Sequence, residues 1–480
     1  MNRFLIWLSC TFLCLAIVSC SDDDSFSASP ANHLTFSTDT VKLDTVFSKV
    51  PTATKTFWVY NRSGDGIRCS NIRLANGNQT GFRVNVDGSY LGATSGYQIN
   101  DLEIRKNDSI RVFVELTSPS NNQEVPTLLQ DDLVFSLESG TQQKVNLRAW
   151  TWDVEMWTDP VIDSDTTIPA SAPIIIYGGL TVNKGATLTI EPGATLFFHA
   201  DAGMEVYGRL IVNGTPEKNV VLRGDRIDRM FDYLPYDRVS GQWKGIHFHE
   251  SSYENVIDYA DIHSAYDAVV CDSSDVSKLK LSLYNSIVHN NEGHGLKAVH
   301  SVVDVKNCQV TNTLGDCVTI CGGVCMLQHC TLAQFYPFSA DRGVALRFGN
   351  VNSEGMIYPL YDFSCVNTLV TGYADDVIMG EADSTAVYQF KFDHCVLRTP
   401  ALEGNERITD VVWEDPEKTD SVGTKHFVLV DADQQDYDFR LDSLSMAIGR
   451  ANPAMSIEYD RLGVRRDDKP DVGCYEYVKP

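Results

Sequence analysis

From Leu180 onward, apolar residues come in pairs set two positions apart: Leu180/Val182, Leu188/Ile190, Leu196/Phe198, Met204/Val206, Leu210/Val212 and Val220/Leu222. Each pair reads as the two inward side chains of a short strand, because one face of a strand recurs every second residue. Three steps along this ruler span 24, 22 and 24 residues (180 to 204, 188 to 210, 196 to 220). The stretch 185–198, GATLTIEPGATLFF, nearly says the same thing twice, eight residues apart, which is one step of the ruler. A strand this short cannot bury its apolar face alone. Three of them forming one turn of a coil, with coils stacked by parallel hydrogen bonding, share a single core. Gly185, Gly193 and Gly208 fall where the chain must bend between faces. The pattern therefore predicts a parallel β-helix.

A second column appears further on, starting at Tyr259, Asn285, Asn307, His329, Asn367 and His394. One residue later the side chain is small or Cys (Ala260, Ser286, Cys308, Cys330, Thr368, Cys395). Three residues later it is apolar (Ile262, Val288, Val310, Leu332, Val370, Leu397). These two positions are expected inside, and the Asn/His column at a corner, hydrogen-bonding up and down the stack. Gln309 and Thr331, one residue before Val310 and Leu332, are expected to face outward. Upstream, residues 34–150 alternate differently. Ile110, Val112, Val114 and Leu116 share one strand face, and further short strands are separated by turn residues, which predicts a β-sandwich. The fold class expected is all-β: a sandwich at 34–150, then a coil at 160–478.

Composition narrows the setting. A formal net charge of −25 over 480 residues excludes the concentrated basic surface that nucleic acid needs. Arg3 and the apolar run at 4–18 (FLIWLSCTFLCLAIV) form a signal peptide, residues 1–19, too short for a membrane span. Residues 20–33, rich in Ser, Asp, Ala and Pro, read as a tether. Of the 13 cysteines, Cys10 and Cys14 leave with the signal and Cys20 opens the tether. Ten remain, an even number that leaves disulfides open. The inward column instead makes Cys308, Cys330 and Cys395 small buried hydrophobes. Cys317, Cys321 and Cys325 are spaced too far along an extended chain to converge on one metal unless it bends sharply.

Four resemblances follow. Ile17-Val18-Ser19-Cys20 resembles the bacterial lipobox, and the Asp run at 22–24 resembles the export signal of Bacteroidetes-type surface lipoproteins. They imply acylation (palmitate) of Cys20 and a lipid anchor in the outer membrane, exposed at the cell surface. The phrases FSTDTVKLDTVF, YNRSGD and DDLVFSLESG resemble immunoglobulin-like domains, which implies a spacer without catalytic residues. Residues 160–478 resemble the right-handed parallel β-helices of the pectate-lyase-like (pectin lyase fold) superfamily. The C-terminal run Asp438-Phe439-Arg440-Leu441, Ala447-Ile448-Gly449, Asp460-Arg461-Leu462-Gly463 and Pro470-Asp471-Val472-Gly473-Cys474-Tyr475-Glu476 is similar to the ending common in such proteins. That superfamily holds polysaccharide lyases, glycoside hydrolases and non-catalytic binders, so the fold does not choose the function.

Two regions carry candidate chemistry. Aligning the coils puts Asp267, His294, Asp316, Arg342 and Asp376 in the turn before successive inward strands. Neighbouring coils lie about 4.8 Å apart. A His beside carboxylates with an Arg above could act as general base and charge stabiliser, although Asp is also the usual structural choice at turns. His294, Asp316, Arg342 and Asp267 are the catalytic candidates. The second region is the insertion 224–243 with the strand after it. Asp225, Arg226, Tyr233, Tyr236, Arg238, Trp243, His247 and His249 are the ligand-binding candidates, because aromatic faces with Asp and Arg suit sugar rings. A second insertion, 334–363, shares that aromatic character. No metal site and no cofactor are assigned. Ca²⁺ is the one ion the four Asp of the loop 224–243 would suit, and their spacing matches no calcium loop.

Outward Lys and Arg are sparse, and a lyase acting on uronic acids needs cations or a metal. The sequence therefore favours a surface lipoprotein whose β-helix binds or contacts extracellular polysaccharide without catalysis. The alternatives are a polysaccharide lyase or glycoside hydrolase, and a structural or adhesion protein.

Overall fold

A computed structural model describes residues 25–479 except 124, 232, 403 and 416–422. The signal peptide, Cys20 and the Asp run at 22–24 lie outside the described residues. The chain divides after Asp153 into two compact units.

The first unit is a sandwich of two five-stranded sheets. One is antiparallel throughout, in the order Leu34–Phe36, Lys55–Asn61, Ser109–Leu116, Phe82–Val86, Ser89–Tyr90. The other runs Thr40–Phe47, Gln142–Trp152, Thr127–Leu137, Ile67–Leu74, Gln98–Ile104, and only its first pair is parallel. Alternation does what it predicts: Val112, Val114 and Leu116 are fully buried with Val59, Phe135 and Leu147, while Arg111 faces solvent.

The second unit is a right-handed parallel β-helix with three columns of parallel strands. Face one holds Leu180–Val182, Met204–Val206, Ile246–Phe248, Val269–Cys271, Leu346–Gly349 and Ile378–Glu381. Face two holds Thr187–Ile190, Arg209–Asn213, Asn255–Asp258, Leu281–Tyr284, Leu360–Val366 and Tyr388–Asp393. Two long strands, Leu296–Lys306 and Val318–Gln328, run through both. Face three is a separate sheet of eleven strands, from Glu155–Thr158 to Val412–Trp413. Its inward register reads Leu222, Ile262, Val288, Val310, Leu332, Val370, Leu397, the column expected from sequence. Ala260, Cys308, Cys330 and Cys395 are fully buried beside it.

The Asn/His column is a corner with a backbone requirement. Tyr259, Asn285, Asn307, His329, Asn367 and His394 all have φ between 46° and 52°. Asn tolerates this left-handed conformation best among side-chain-bearing residues. The amides also ladder: Asn307 donates to Asn285 (3.1 Å), and Asn285 to Asp258 (2.8 Å). Gly185 and Gly193 likewise have positive φ, and a side chain at Gly208 would collide with the carbonyl oxygens of Asn183 and Ala186.

The C-terminal residues do not extend the coil. The hairpin Phe427–Asp431/Asp436–Leu441 and the segment to Tyr477 form a strap over the outer surface of face three. Phe427, Phe439, Leu441, Ala447, Val472 and Tyr475 pack there on Ala333, Phe335, Leu369 and Val396. This corrects the expectation for Gln309 and Thr331. They do leave the coil on its outer side, but the strap buries them (6% and 1% exposed). Gln309 accepts from the Tyr475 hydroxyl (2.7 Å), and Thr331 Oγ1 accepts from Cys474 N (3.1 Å).

Cys69, Cys271, Cys308, Cys317, Cys321, Cys325, Cys330, Cys365, Cys395 and Cys474 are all buried thiols outside any disulfide. Burial pushes Cys317, Cys330 and Cys474 up to about 12. The chain does bend between Cys321 and Cys325, at Gly322 and Gly323, both with positive φ. The bend puts those thiols on different faces instead of gathering them.

Candidate functional site

The turn between faces three and one brings three of the four catalytic candidates together. Asp267 Oδ1 accepts from the backbone N (2.7 Å) of His294, one coil on, and contacts His294 Nδ1 (2.9 Å). His294 Nε2 then lies 4.0 Å from Asp316 Oδ2. Asp316 repeats the motif of Asp267 by accepting from Val344 N (2.8 Å), and adds Thr319 Oγ1 (2.8 Å). Asp267 and Asp316 thus each tie their coil to the next, which is turn chemistry, while His294 keeps one nitrogen available to a ligand.

Arg342 is not part of this group. Its guanidinium sits over the Tyr373 ring, 5.0 Å from the centroid. Asp376 accepts from the nearby Ile378 N (3.2 Å). The arginine that engages Asp316 is Arg347 (2.6 Å), which also holds Glu381 (2.7 Å). The reason is register. Residues 335–345 loop out of the coil, and only Leu346–Gly349 rejoins face one, pairing Thr319 with Arg347. Burial raises the Asp316 carboxyl, but its hydrogen bonds to Arg347 and Val344 outweigh that and hold it below its ordinary value. Asp267 is lowered in the same way by His294.

The outward residues of face one run Glu205, His247, Val270, Lys297, Thr319, Arg347, Met379. Beside the later coils Lys297, Thr319 and Arg347 of this ladder line a cleft of about 740 Å³, together with His294, Asp316, Glu381, Met356 and Tyr358. Five carboxylates line it (Glu250, Asp272, Asp316, Glu354, Glu381), against Lys297, Arg347 and His294. Arg347 is already held between two of those carboxylates. The cleft therefore presents acceptors to a hydroxyl-rich ligand and repels a polyanion. Lys297, Arg347 and Glu381 were missed from sequence. The signal was present for two of them: Lys297 and Arg347 each directly follow an inward residue (Leu296, Leu346), once the insertion is placed, whereas Glu381 ends its strand opposite Gly349.

The insertion 224–243 forms no single site. Asp225 holds His199 (2.6 Å), and Arg226 pairs with Asp228 (2.7 Å) while lying over Tyr236 (3.8 Å). Arg238 reaches Asp436 of the strap (3.1 Å). Tyr233 is half exposed at the tip, its ring 5.8 Å from that of Phe231. Trp243 is a core residue and not a ligand contact: it is 2% exposed, stacked on Phe198 at 4.3 Å, and its Nε1 donates to His263 O (2.9 Å). The parity of Ile246 and Phe248 is inward as expected, which leaves His247 and His249 side by side outside, with ring centroids 4.1 Å apart. In the insertion 334–363, Phe335 is buried under the strap and Tyr358 faces the cleft.

Among the described residues, no helix is long and apolar enough to cross a membrane. No protein-family model matches the chain, and no curated protein matches it.

Proposed function

We propose that this chain is an extracellular glycan-contacting protein whose face-one cleft binds a neutral polysaccharide. The cleft's charge balance carries the reading. Carboxylates outnumber cations there, so sugar hydroxyls find acceptors and uronate chains meet repulsion. The resemblance to pectate-lyase-like β-helices and to Bacteroidetes-type surface lipoproteins supports the same setting, with Cys20 as the lipid anchor and residues 34–150 as spacer. Affinity electrophoresis of the full chain through neutral and acidic polysaccharides tests it. Retardation by a neutral glycan, weakened at least about tenfold in Lys297→Ala/Tyr358→Ala, is expected for an interface dominated by a few contacts. No retardation in any glycan, or retardation by uronates alone, overturns it.

One observation favours a second reading, glycan cleavage. Asp267 holds His294 Nδ1, the arrangement that orients an imidazole so that Nε2 can move a proton. Reducing-end and unsaturated-product assays on the bound glycan, with His294→Ala as control, separate cleaver from binder.

A further inference from the structure

His247 and His249 alternate on one strand and so project together from face one. The preceding coil places Glu205 in register with His247, and the following coil places Asp272 alongside. Glu205 Oε2 contacts His249 Nε2 (2.6 Å) and His247 Nδ1 (3.4 Å). On the other side, Asp272 contacts His247 Nε2 (2.9 Å) and His249 Nδ1 (3.5 Å). All four ring nitrogens therefore face carboxylate oxygens.

A neutral imidazole carries one N–H. If both rings donate to Asp272, two bare nitrogens and a carboxylate oxygen converge on one point beside Glu205. Three lone pairs do not gather without a positive charge between them. Two added protons would supply it, at the cost of stacking two imidazolium rings 4.1 Å apart. One divalent cation supplies it without that repulsion.

We propose that Glu205, His247 and His249 bind a zinc-class divalent metal ion, with Asp272 as the outer carboxylate that fixes both imidazole tautomers. One ligand atom from each of the three residues lies within 4.8 Å of the others. A tetrahedral site with bonds of about 2.1 Å needs roughly 3.4 Å between ligand atoms, which small rotamer adjustments reach. Two nitrogens and one oxygen suit Zn²⁺ and its neighbours, whereas Ca²⁺ and Mg²⁺ require oxygen cages. A His that ligates a metal almost always gives its other N–H to a carboxylate, the position Asp272 holds. The surroundings are built to hold the rings. Tyr207 stacks flat on His249 at 3.9 Å, and the buried Lys280 donates to the His249 carbonyl (2.7 Å). A second His–carboxylate group, Asp261 with His263 and His289, lacks the outer carboxylate: among the described residues the buried His263 Nε2 meets no hydrogen-bond partner.

Three protein ligands leave a position open for water or a sugar oxygen. Asp272 also lines the cleft, so the ion would sit at its margin. The metal site does not rest on the glycan reading. Isothermal titration of the chelator-treated full chain with ZnCl₂ near neutral pH tests it. One saturable site is expected, lost in His247→Ala and His249→Ala, about 10–100-fold weaker in Asp272→Asn, and unaffected by millimolar Ca²⁺ or Mg²⁺. Absence of saturable uptake, or uptake unchanged in the His247→Ala/His249→Ala double variant, overturns it. Circular dichroism verifies that the variants fold. His247→Gln, a milder change at a partly exposed position, serves if the double variant does not.

Discussion

Thr331 and Leu332 are neighbours on one strand, and both are buried for different reasons. Leu332 fills the coil, so truncation to Ala should cost about 2–5 kcal/mol. Thr331 lies beneath the strap, and Thr331→Ala leaves the buried Cys474 N–H without its acceptor, at about 1–3 kcal/mol. Denaturant midpoints check both, and a Thr331→Ala cost within about 0.5 kcal/mol, the norm for an open surface site, would contradict the strap contact. A second residue of the strap gives a pH signature. Burial pushes Asp471 up to about 6. Between the ordinary carboxylate range and pH 6 the folded chain then binds more protons at this site than the unfolded chain. Its contribution to stability falls as pH rises through that window. Wild-type stability minus that of Asp471→Asn should therefore shrink between about pH 4 and 6, by about 1–2 kcal/mol after allowance for solvent screening. A constant difference would rule this out. The inward residues were legible one by one, because parity and period name them. Gln309 and Thr331 were not. What buries them arrives 166 and 143 residues later in the chain, and no local pattern announces it.

Most strands of the coil are three to five residues long, so the unit of stability is the register between coils. That register was readable wherever the repeat ran undisturbed, which is why Asp267, His294 and Asp316 fell together. It failed at residues 335–345, where a loop of unknown length hides which arginine rejoins the sheet, Arg342 or Arg347. The His pair at 247 and 249 was legible as an outward pair. Glu205 and Asp272 were not read as its partners: pairing Glu205 with His247 requires counting through the insertion 224–243, and Asp272 falls just past the strand Val269–Cys271. Where the coil ends, another element takes over. Glu414 is fully buried after the last strand of face three, and it binds Arg398 (2.8 Å), Thr371 (3.1 Å), His426 (3.2 Å) and Gly423 N. Its carboxyl is raised by burial but held below its ordinary value by His426 and Arg398. Glu414→Ala leaves the buried Arg398 charge to the exposed Asp375 at 3.5 Å and should cost about 3–5 kcal/mol. A melting temperature unchanged from wild type would show that this network does not close the coil.

For the molecule as a whole, the two-unit architecture followed from a change of period, and the proposed surface anchor rests on the resemblance of residues 17–24 to a lipoprotein signal. Cys20→Ala should release the protein from the membrane fraction, as measured by fractionation and by protease added to intact cells. Wild-type protein protected in intact cells would remove it from the surface. The strap also sets a clock. Each coil needs only its predecessor to form, so the helix can zip up as it is made. Ala333, Phe335, Leu369 and Val396 must nevertheless wait, apolar and bare, until Phe439, Val472 and Tyr475 have been synthesised. At about 5–20 residues per second that wait is on the order of ten seconds. During it, the same face of a neighbouring nascent copy competes for the strap's place.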